Sequence, residues 1–421
     1  MAFQGILGII AFCGIAWAVS ENRKIIPVRI LVVGIAMQLV LAVLLLRFPW
    51  ASEALLHLNH LVEAIDSATK AGTSFLFGYL GGGPLPFEEP YPGAGFILAF
   101  RALPIVLVMS ALSALLFYWK ILPVIVRGFS YVLQKTMGIG GALGVGTAAN
   151  IFVGMVEAPL FIRPYLARMS RSEIFAIMTV GMSTIAGTMM VLYALTIQPV
   201  IGDGALGHLL IASIISAPAA LVIARLMVPQ AIGEETGGEI VEAHPAQGPM
   251  DAVTYGTMEG LKLWGSIVAM LIVLVALVSL VNQGLGAFTS LIAGPDAEPY
   301  TLQRLLGYVM APLVWLMGVS WHDAEVAGQL MGIKIVLNEF LAYIELAKLP
   351  PEAISPASRL ILVYAICGFA NLGSLGIMIG GLCTMAPERR SEIVSLGFRS
   401  ILSGNLATMM TGAVAGIILS I

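Results

Sequence analysis

Four stretches of this chain, residues 1–20, 174–202, 263–295 and 400–421, contain no Asp, Glu, Lys or Arg. Each is long enough to cross a bilayer as a helix, which takes about 20 apolar residues, and a helix satisfies its own backbone N–H and C=O groups inside hydrocarbon. Only 11% of the 421 residues are charged, against roughly a quarter in a soluble domain, so there is too little charge to solvate the whole surface. The fold class is therefore an all-α polytopic membrane protein embedded in a lipid bilayer. The first run lacks a basic leader and a small-residue cleavage site, and reads as a retained span. Cys13, Cys367 and Cys383 lie in apolar segments without CxxC spacing, and the histidines form no HExxH pair. Neither a disulfide framework nor a zinc centre follows.

Lysine and arginine in short loops orient the spans, because they favour the cytoplasmic side. Arg23, Lys24 and Arg29, then Lys120 and Arg127, then Arg163, Arg168 and Arg171, and finally Arg389 and Arg390 mark that side. The loop at 81–93 and the region of Asp203 carry acids and no bases, and read as external. Eight spans fit this pattern, over 2–20, 30–48, 95–118, 172–196, 205–228, 257–282, 357–384 and 396–420, with both termini outside. Residues 52–75 are amphipathic and are expected at the external surface. Residues 229–253 mix Gly, Pro and acids without periodicity, as in a flexible cytoplasmic tether.

Two regions do not read as simple spans. Residues 139–168 are glycine-rich, hold Asn150, Gly154, Glu157 and Pro159 at their centre, and return to the basic side. Residues 322–350 do the same from the opposite side around Asn338 and Glu339. Both are expected to be re-entrant helical hairpins, a shape tolerated at membrane depth only where protein or a water-filled cavity serves the freed backbone. Each is followed by two spans, the first broken by small and polar residues, STIAGT at 183–188 and GFANLGSLG at 368–376. Hairpin, broken span and span, repeated with opposite topology, is the inverted repeat of secondary transporters, whose binding site lies at the midplane where the interruptions meet.

A carboxylate in hydrocarbon costs several kcal/mol, so Glu157 and Glu339 read as ligand groups facing water or a solute. Carboxylates suit vicinal hydroxyls, and apolar Met155 and Val156 with Phe369 would suit a flat ring, which together point to a ring-bearing sugar. The structural alternative pairs these acids with Lys334 or with arginines. For Asn150, Thr184, Asn371 and Ser374 it is hydrogen bonding across packed helices.

The segments AANIFVGMVEAPLFIRPYL (148–166), STIAG (183–187), PLVWLMGVSW (312–321), GIKIVLNEFLAY (332–343) and CGFANLGSLGI (367–377) resemble the concentrative nucleoside transporter family, in order, from about residue 95 to 420. The resemblance implies a homotrimer of eight-span protomers in the bacterial inner membrane, importing nucleosides on a cation gradient. It implies an outer scaffold over 1–121 and 255–320, and an inner transport domain over 122–254 (interfacial helix, hairpin one, two spans and linker) and 321–421 (hairpin two and the last two spans). Ribose contacts would fall on Glu339, Asn371 and Ser374. Base contacts would fall on Gly154, Met155, Val156 and Glu157 with Phe369 and Met189. Na+ as coupling ion would fall on Asn150, Val153, Thr184 and Ile185, hard oxygen donors that suit an alkali cation. No nucleic acid and no further cofactor are implied.

The family's usual tip is Gly-Gln-Thr/Ser-Glu, whereas this chain has Gly154-Met155-Val156-Glu157, and apolar GALGVG (141–146) stands where the family has an acidic stretch. Loss of polar groups facing the base predicts looser or purine-leaning selection. Three function classes remain distinct. A symporter, with Na+ or H+, requires coupled uptake; an uncoupled nucleoside pathway ignores ion gradients; and an intramembrane enzyme would need a nucleophile with its base or a metal-ligand set, which the acids lack.

Overall fold

The apolar, uncharged runs are helical over most of their length, and no strand occurs among the described residues. The structure, a computed structural model, describes residues 2–88, 95–202, 204–230, 233–241, 246–294 and 298–420, without the side chains of 49–59, 62 and 293. Of the loops read as external, residues 89–94 and Asp203 lie outside the described residues.

The N-terminal part holds α1 (Ala2–Ala18), α2 (Val28–Arg47), α3 (Pro49–Phe77), α4 (Leu98–Arg101), α5 (Ile105–Tyr118) and α6 (Ile121–Met137). The first repeat follows with α7 (Gly141–Asn150), α8 (Arg163–Leu166), α9 (Arg171–Ser183), α10 (Gly187–Ile201) and α11 (Ala205–Met227). Then come α12 (Pro249–Ala293) and α13 (Leu302–Leu316). The second repeat is α14 (Ala324–Val336), α15 (Glu339–Lys348), α16 (Pro356–Ile366), α17 (Leu372–Met385) and α18 (Arg390–Ser420). Six helical stretches among the described residues are long and apolar enough to cross a membrane, and α1, α13, α16 and α17 are shorter apolar helices.

Burial sorts these helices into inside and outside. In the most apolar windows of α11 and α18, 94% of residues are buried, against 6% in α12. α12 is also the most apolar of the three, so it presents its surface to lipid or to another chain while α11 and α18 form the centre. α9, α16 and α1 pack on α18, α2 packs on α11, and α12 runs along α5. Small residues permit the close crossings: a Cβ on Gly404 would sit 2.5 Å from the Met182 side chain.

The two hairpins fold differently. The second is helix–turn–helix, α14 and α15 joined at Leu337 and Asn338. The first descends as α7, but its return limb is a 3-10 turn (Ala158–Ile162) followed by the single turn of α8, where a regular helix was expected. Pro159 and Pro164 account for this, since each removes a backbone donor and fixes φ. α9 then restarts at a capping box in which Ser170 and Glu173 serve each other's backbone N–H.

The segment read as a plain tether also differs. Thr236 donates its N–H (2.9 Å) and hydroxyl (2.7 Å) to Glu173, its carbonyl accepts from Ala142 N (3.2 Å), and Val241 N donates to Phe161 O (3.0 Å). Residues 233–241 are thus strapped over the base of hairpin one; residues 231–232 and 242–245 lie outside the described residues.

Candidate functional site

The first broken span is pinned to its hairpin by backbone, the second by side chains. After α9 the chain extends through Thr184, Ile185 and Ala186, and Gly187 N donates to Phe152 O at the first hairpin's tip (3.0 Å). A Cβ at Gly187 would press on that carbonyl at 2.5 Å, which is why only glycine fits there. After α16 the chain passes Cys367 to Ala370 and restarts at Asn371, whose side chain caps α17 by accepting from Ser374 N (2.8 Å). The same amide then donates from Nδ2 to Glu339 Oε2 (2.9 Å), while Tyr193 of α10 donates to Glu339 Oε1 (2.6 Å). Glu339 itself opens α15, where the exposed helix N–H groups favour an anion, and Asn338 caps that helix at Leu341 N (2.8 Å).

These interruptions surround a cleft, open on one side, with about 140 Å³ of room for water-sized spheres. Gly154, Met155, Val156 and Glu157 line it from hairpin one, Glu339 from hairpin two, Met189 from α10, and Phe369, Asn371 and Ser374 from the second break. The nine residues singled out in the sequence for a solute therefore share one cavity. Their environments differ: Glu339 is 4% exposed, whereas Glu157 is exposed to the cleft and receives no side-chain donor among the described residues.

The residues assigned to a cation sit behind the tip of hairpin one. Asn150, Val153, Thr184 and Ile185 are all buried. Asn150 Nδ2 donates to Gly146 O (2.9 Å), yet among the described residues neither its Oδ1 nor Thr147 Oγ1 has a partner. A buried amide oxygen left unsatisfied calls for an unseen water or ion. Thr184 Oγ1 donates to Val180 O (2.9 Å) and accepts no hydrogen bond among the described residues, so its lone pairs remain free. These donors are hard oxygens and fit an alkali ion.

Comparison with known proteins matches residues 7–80 and 208–416 to the N- and C-terminal models of the Na+ dependent nucleoside transporters, and residues 99–200 to a nucleoside recognition model. Relatives include an uncharacterized transporter of Haemophilus influenzae, 37% identical over 99% of this chain and 98% of that one. Another is the nucleoside permease NupC of Helicobacter pylori, 35% identical over 99% and 97%. The chain belongs to the concentrative nucleoside transporter family. Solved structures of the family's CNTnw superpose on this transporter along nearly its whole length. An inward-facing substrate-bound state gives a TM-score of 0.89 at 34% identity, and an outward-facing double variant 0.91 at 33%, each covering 100% of this chain and 98% of that one. It is a membrane nucleoside transporter, not an enzyme, and its all-helical architecture is the family's.

Several cleft residues escaped the sequence reading. Tyr193 sits in an apolar run where a lone tyrosine reads as packing; its hydroxyl would have been legible only as a buried donor needing a partner. Leu263, Ser266, Ile267, Met270 and Leu274 close the cleft from α12, and nothing in a lipid-like helix marks one face as site-facing. Leu337 and Phe340 flank Glu339 and follow from its position on the tip, as does Asn338, which the sequence placed at the centre of hairpin two without a solute role.

Proposed function

We propose that this transporter is a symporter that imports nucleosides by alternating access, driven by Na+, with the ribose held by hairpin two and the second break. The carrying observation is the Glu339 carboxylate: it is buried, fixed by Tyr193 and Asn371, and faces the cleft beside Ser374. Each carboxylate oxygen keeps a second lone pair, enough to accept a vicinal pair of hydroxyls. Na+ enters between Asn150, Val153, Thr184 and Ile185, where the unpartnered Asn150 Oδ1 supports an ion ligand. A proton is the competing driver, with Glu157, open to the cleft, as its carrier.

The base lies against Met155, Val156, Met189 and Phe369, closed off by Ile267 and Met270 of α12. Such a wall offers shape and polarizable surface but few hydrogen bonds, so discrimination by exocyclic groups is weak and larger purines are accommodated.

We assign the moving body to hairpins one and two with α6, α9 to α11 and α16 to α18, and the static frame to α1 to α5, α12 and α13. The exposed apolar length of α12 supports a homotrimer, in a bacterial inner membrane with both termini periplasmic.

Purified carrier in liposomes tests both halves of this reading. Sodium and pH gradients are imposed separately, and uptake of radiolabelled uridine, adenosine, inosine and free nucleobases is followed. The expected result is uptake of nucleosides with adenosine and inosine at least as good as uridine, free bases excluded, and accumulation on a sodium gradient. Accumulation on a pH gradient alone transfers the coupling to Glu157; indifference to both gradients rejects symport, and strict uridine selectivity rejects the base assignment.

A further inference from the structure

Lys334 is fully buried on hairpin two and is not among the residues that line the cleft. Its Nζ donates to Ala365 O (3.1 Å) and to Thr408 Oγ1 (2.7 Å); the threonine's own proton goes to Asn405 O (3.1 Å), so the lysine is the donor in that contact. Lys334 lies in the last turn of α14, and Ala365 in the last turn of α16. The amine therefore sits where two half-helices end, and helix C-termini present unpaired carbonyls with partial negative charge.

The first repeat has the same convergence without the lysine. There α7 ends at Asn150 and α9 at Ser183, the two helices pack together, and neither has a basic residue in its last turn. A Cβ on Gly181 would lie 3.6 Å from the unpartnered Asn150 Oδ1, which shows how directly that amide faces α9. The third helix of each repeat completes the pattern: Ser213 of α11 donates to Ile151 O (3.1 Å) where Thr408 of α18 meets Lys334. The two positions stand almost back to back. A Cβ on Gly368 in the second break would come 2.7 Å from the Thr408 methyl and 3.0 Å from Met182 O at the end of α9.

We propose that the Lys334 ammonium is a tethered cation that occupies, in the second repeat, the position that the first repeat fills with a cation from solution. Half-helix carbonyl ends that converge in a dry interior need positive charge on both sides of the pseudo-symmetry axis. One repeat supplies it covalently and the other recruits it. The carrier consequently takes up one coupling ion per cycle, and only the first break is a site whose occupancy can report the ion gradient. This inference rests on the coupling reading for the ion count, but the role of Lys334 itself is tested without it.

The test is nucleoside binding by the detergent-purified full-length carrier, measured by titration calorimetry over a range of NaCl, with thermal unfolding as the check on folding. Wild type is expected to show a Hill coefficient for Na+ near one. Lys334→Ala should bind adenosine about tenfold or more weaker, the scale of a lost buried charged donor. Binding should return when n-propylammonium is supplied, or at high NaCl with a Hill coefficient approaching two. Lys334→Met fills the space without charge and should not be rescued by either. Wild-type affinity and sodium dependence in Lys334→Met overturn the proposal, as does a folded Lys334→Ala protein that neither n-propylammonium nor high NaCl restores. If the lysine variants fail to fold, Thr408→Val decides: it removes one ligand and keeps the charge, so a several-fold loss of affinity at unchanged Hill coefficient supports the tethered cation, and unchanged affinity overturns it. Sodium-independent binding by wild type would sink the coupling reading while the alkylammonium rescue still judges Lys334.

Discussion

The two hairpin tips carry the same residue type, a glutamate, in opposite states. Glu339 in hairpin two heads a regular helix, is 4% exposed, and has both oxygens hydrogen-bonded. Glu157 in hairpin one precedes an irregular 3-10 limb, lies open to the cleft, and stands beside Met155 and Val156. A fully satisfied polar cluster is rigid, because any displacement strands a buried donor or acceptor, whereas an apolar tip closed by flexible side chains can repack. On the proposed reading the pseudo-symmetric halves divide the labour of recognition: one would be a fixed reader of the sugar, the other an adaptable surface for the base. The lysine in one repeat and its lack in the other extend that division to charge.

Exchanging each acid for its amide probes this division most severely. Glu339→Gln puts an NH2 against either the Tyr193 hydroxyl or the Asn371 amide, so a donor loses its acceptor inside a dry site. Uptake efficiency for adenosine should fall at least a hundredfold, from one or two unsatisfied buried groups at about 1–3 kcal/mol each. Glu157→Gln strands no side chain and should cost about tenfold or less, the scale of a single hydrogen bond. Initial-rate uptake into liposomes reads both; equal losses, or a larger one at Glu157, would break the contrast.

Much of this asymmetry was legible in the sequence. The charge-free runs gave the helices, the acids amid apolar residues gave the cavity, and Gly154-Met155-Val156-Glu157 already exposed the apolar tip, because burial of a charge leaves a mark in composition. What stayed hidden has no such mark. Tyr193 and Met270 are ordinary occupants of an apolar helix, and only the angle at which α10 and α12 meet the hairpins turns them to the cleft. The return limb after Pro159 was expected to be helical because apolar periodicity over so short a stretch does not separate helix from 3-10 turn. The strap at 233–241 was read as a tether since its bonds with the Glu173 carboxylate and the Ala142 N–H join residues far apart in sequence, which composition does not encode.

Tyr193 offers a finer cut on the sugar side. Its ring packs against Phe340 at 5.8 Å and Tyr343 at 5.4 Å between centroids, and these contacts survive in Tyr193→Phe. Only the hydroxyl that orients Glu339 is lost, at about 0.5–1.5 kcal/mol, so KM for adenosine should rise about three- to tenfold with little change in maximal rate. Repeating the measurement with 2′- and 3′-deoxyadenosine makes a cycle between side chain and substrate. The variant's penalty should vanish for the analogue lacking the hydroxyl that meets Glu339; the same penalty on every analogue would reduce Tyr193 to packing.

The smallest effect is expected where the repeats touch the same group. Glu21, in the turn after α1, accepts from Arg171 at the start of α9 through both oxygens (2.9 and 3.2 Å) and from Arg399 of α18 (3.2 Å). The Arg171 hydrogen bond holds its carboxyl below the ordinary value, an effect opposed by partial burial and reinforced by the charge of Arg399. A depressed carboxylate contributes stability above its unfolded pKa, and that contribution is lost as pH falls through the folded value. Because these side chains are 30–39% exposed, water and salt screen the cluster, and Glu21→Gln should cost about 0.5–1 kcal/mol at neutral pH and low salt. Thermal unfolding of wild type and variant should converge both below pH 3 and in molar salt, where the pairs no longer exist. Hydrogen exchange adds the test of symmetry: residues at the start of α9 and those around Arg399 should open together, since one carboxylate restrains both, and loosening confined to one helix would mean that the repeats are anchored separately.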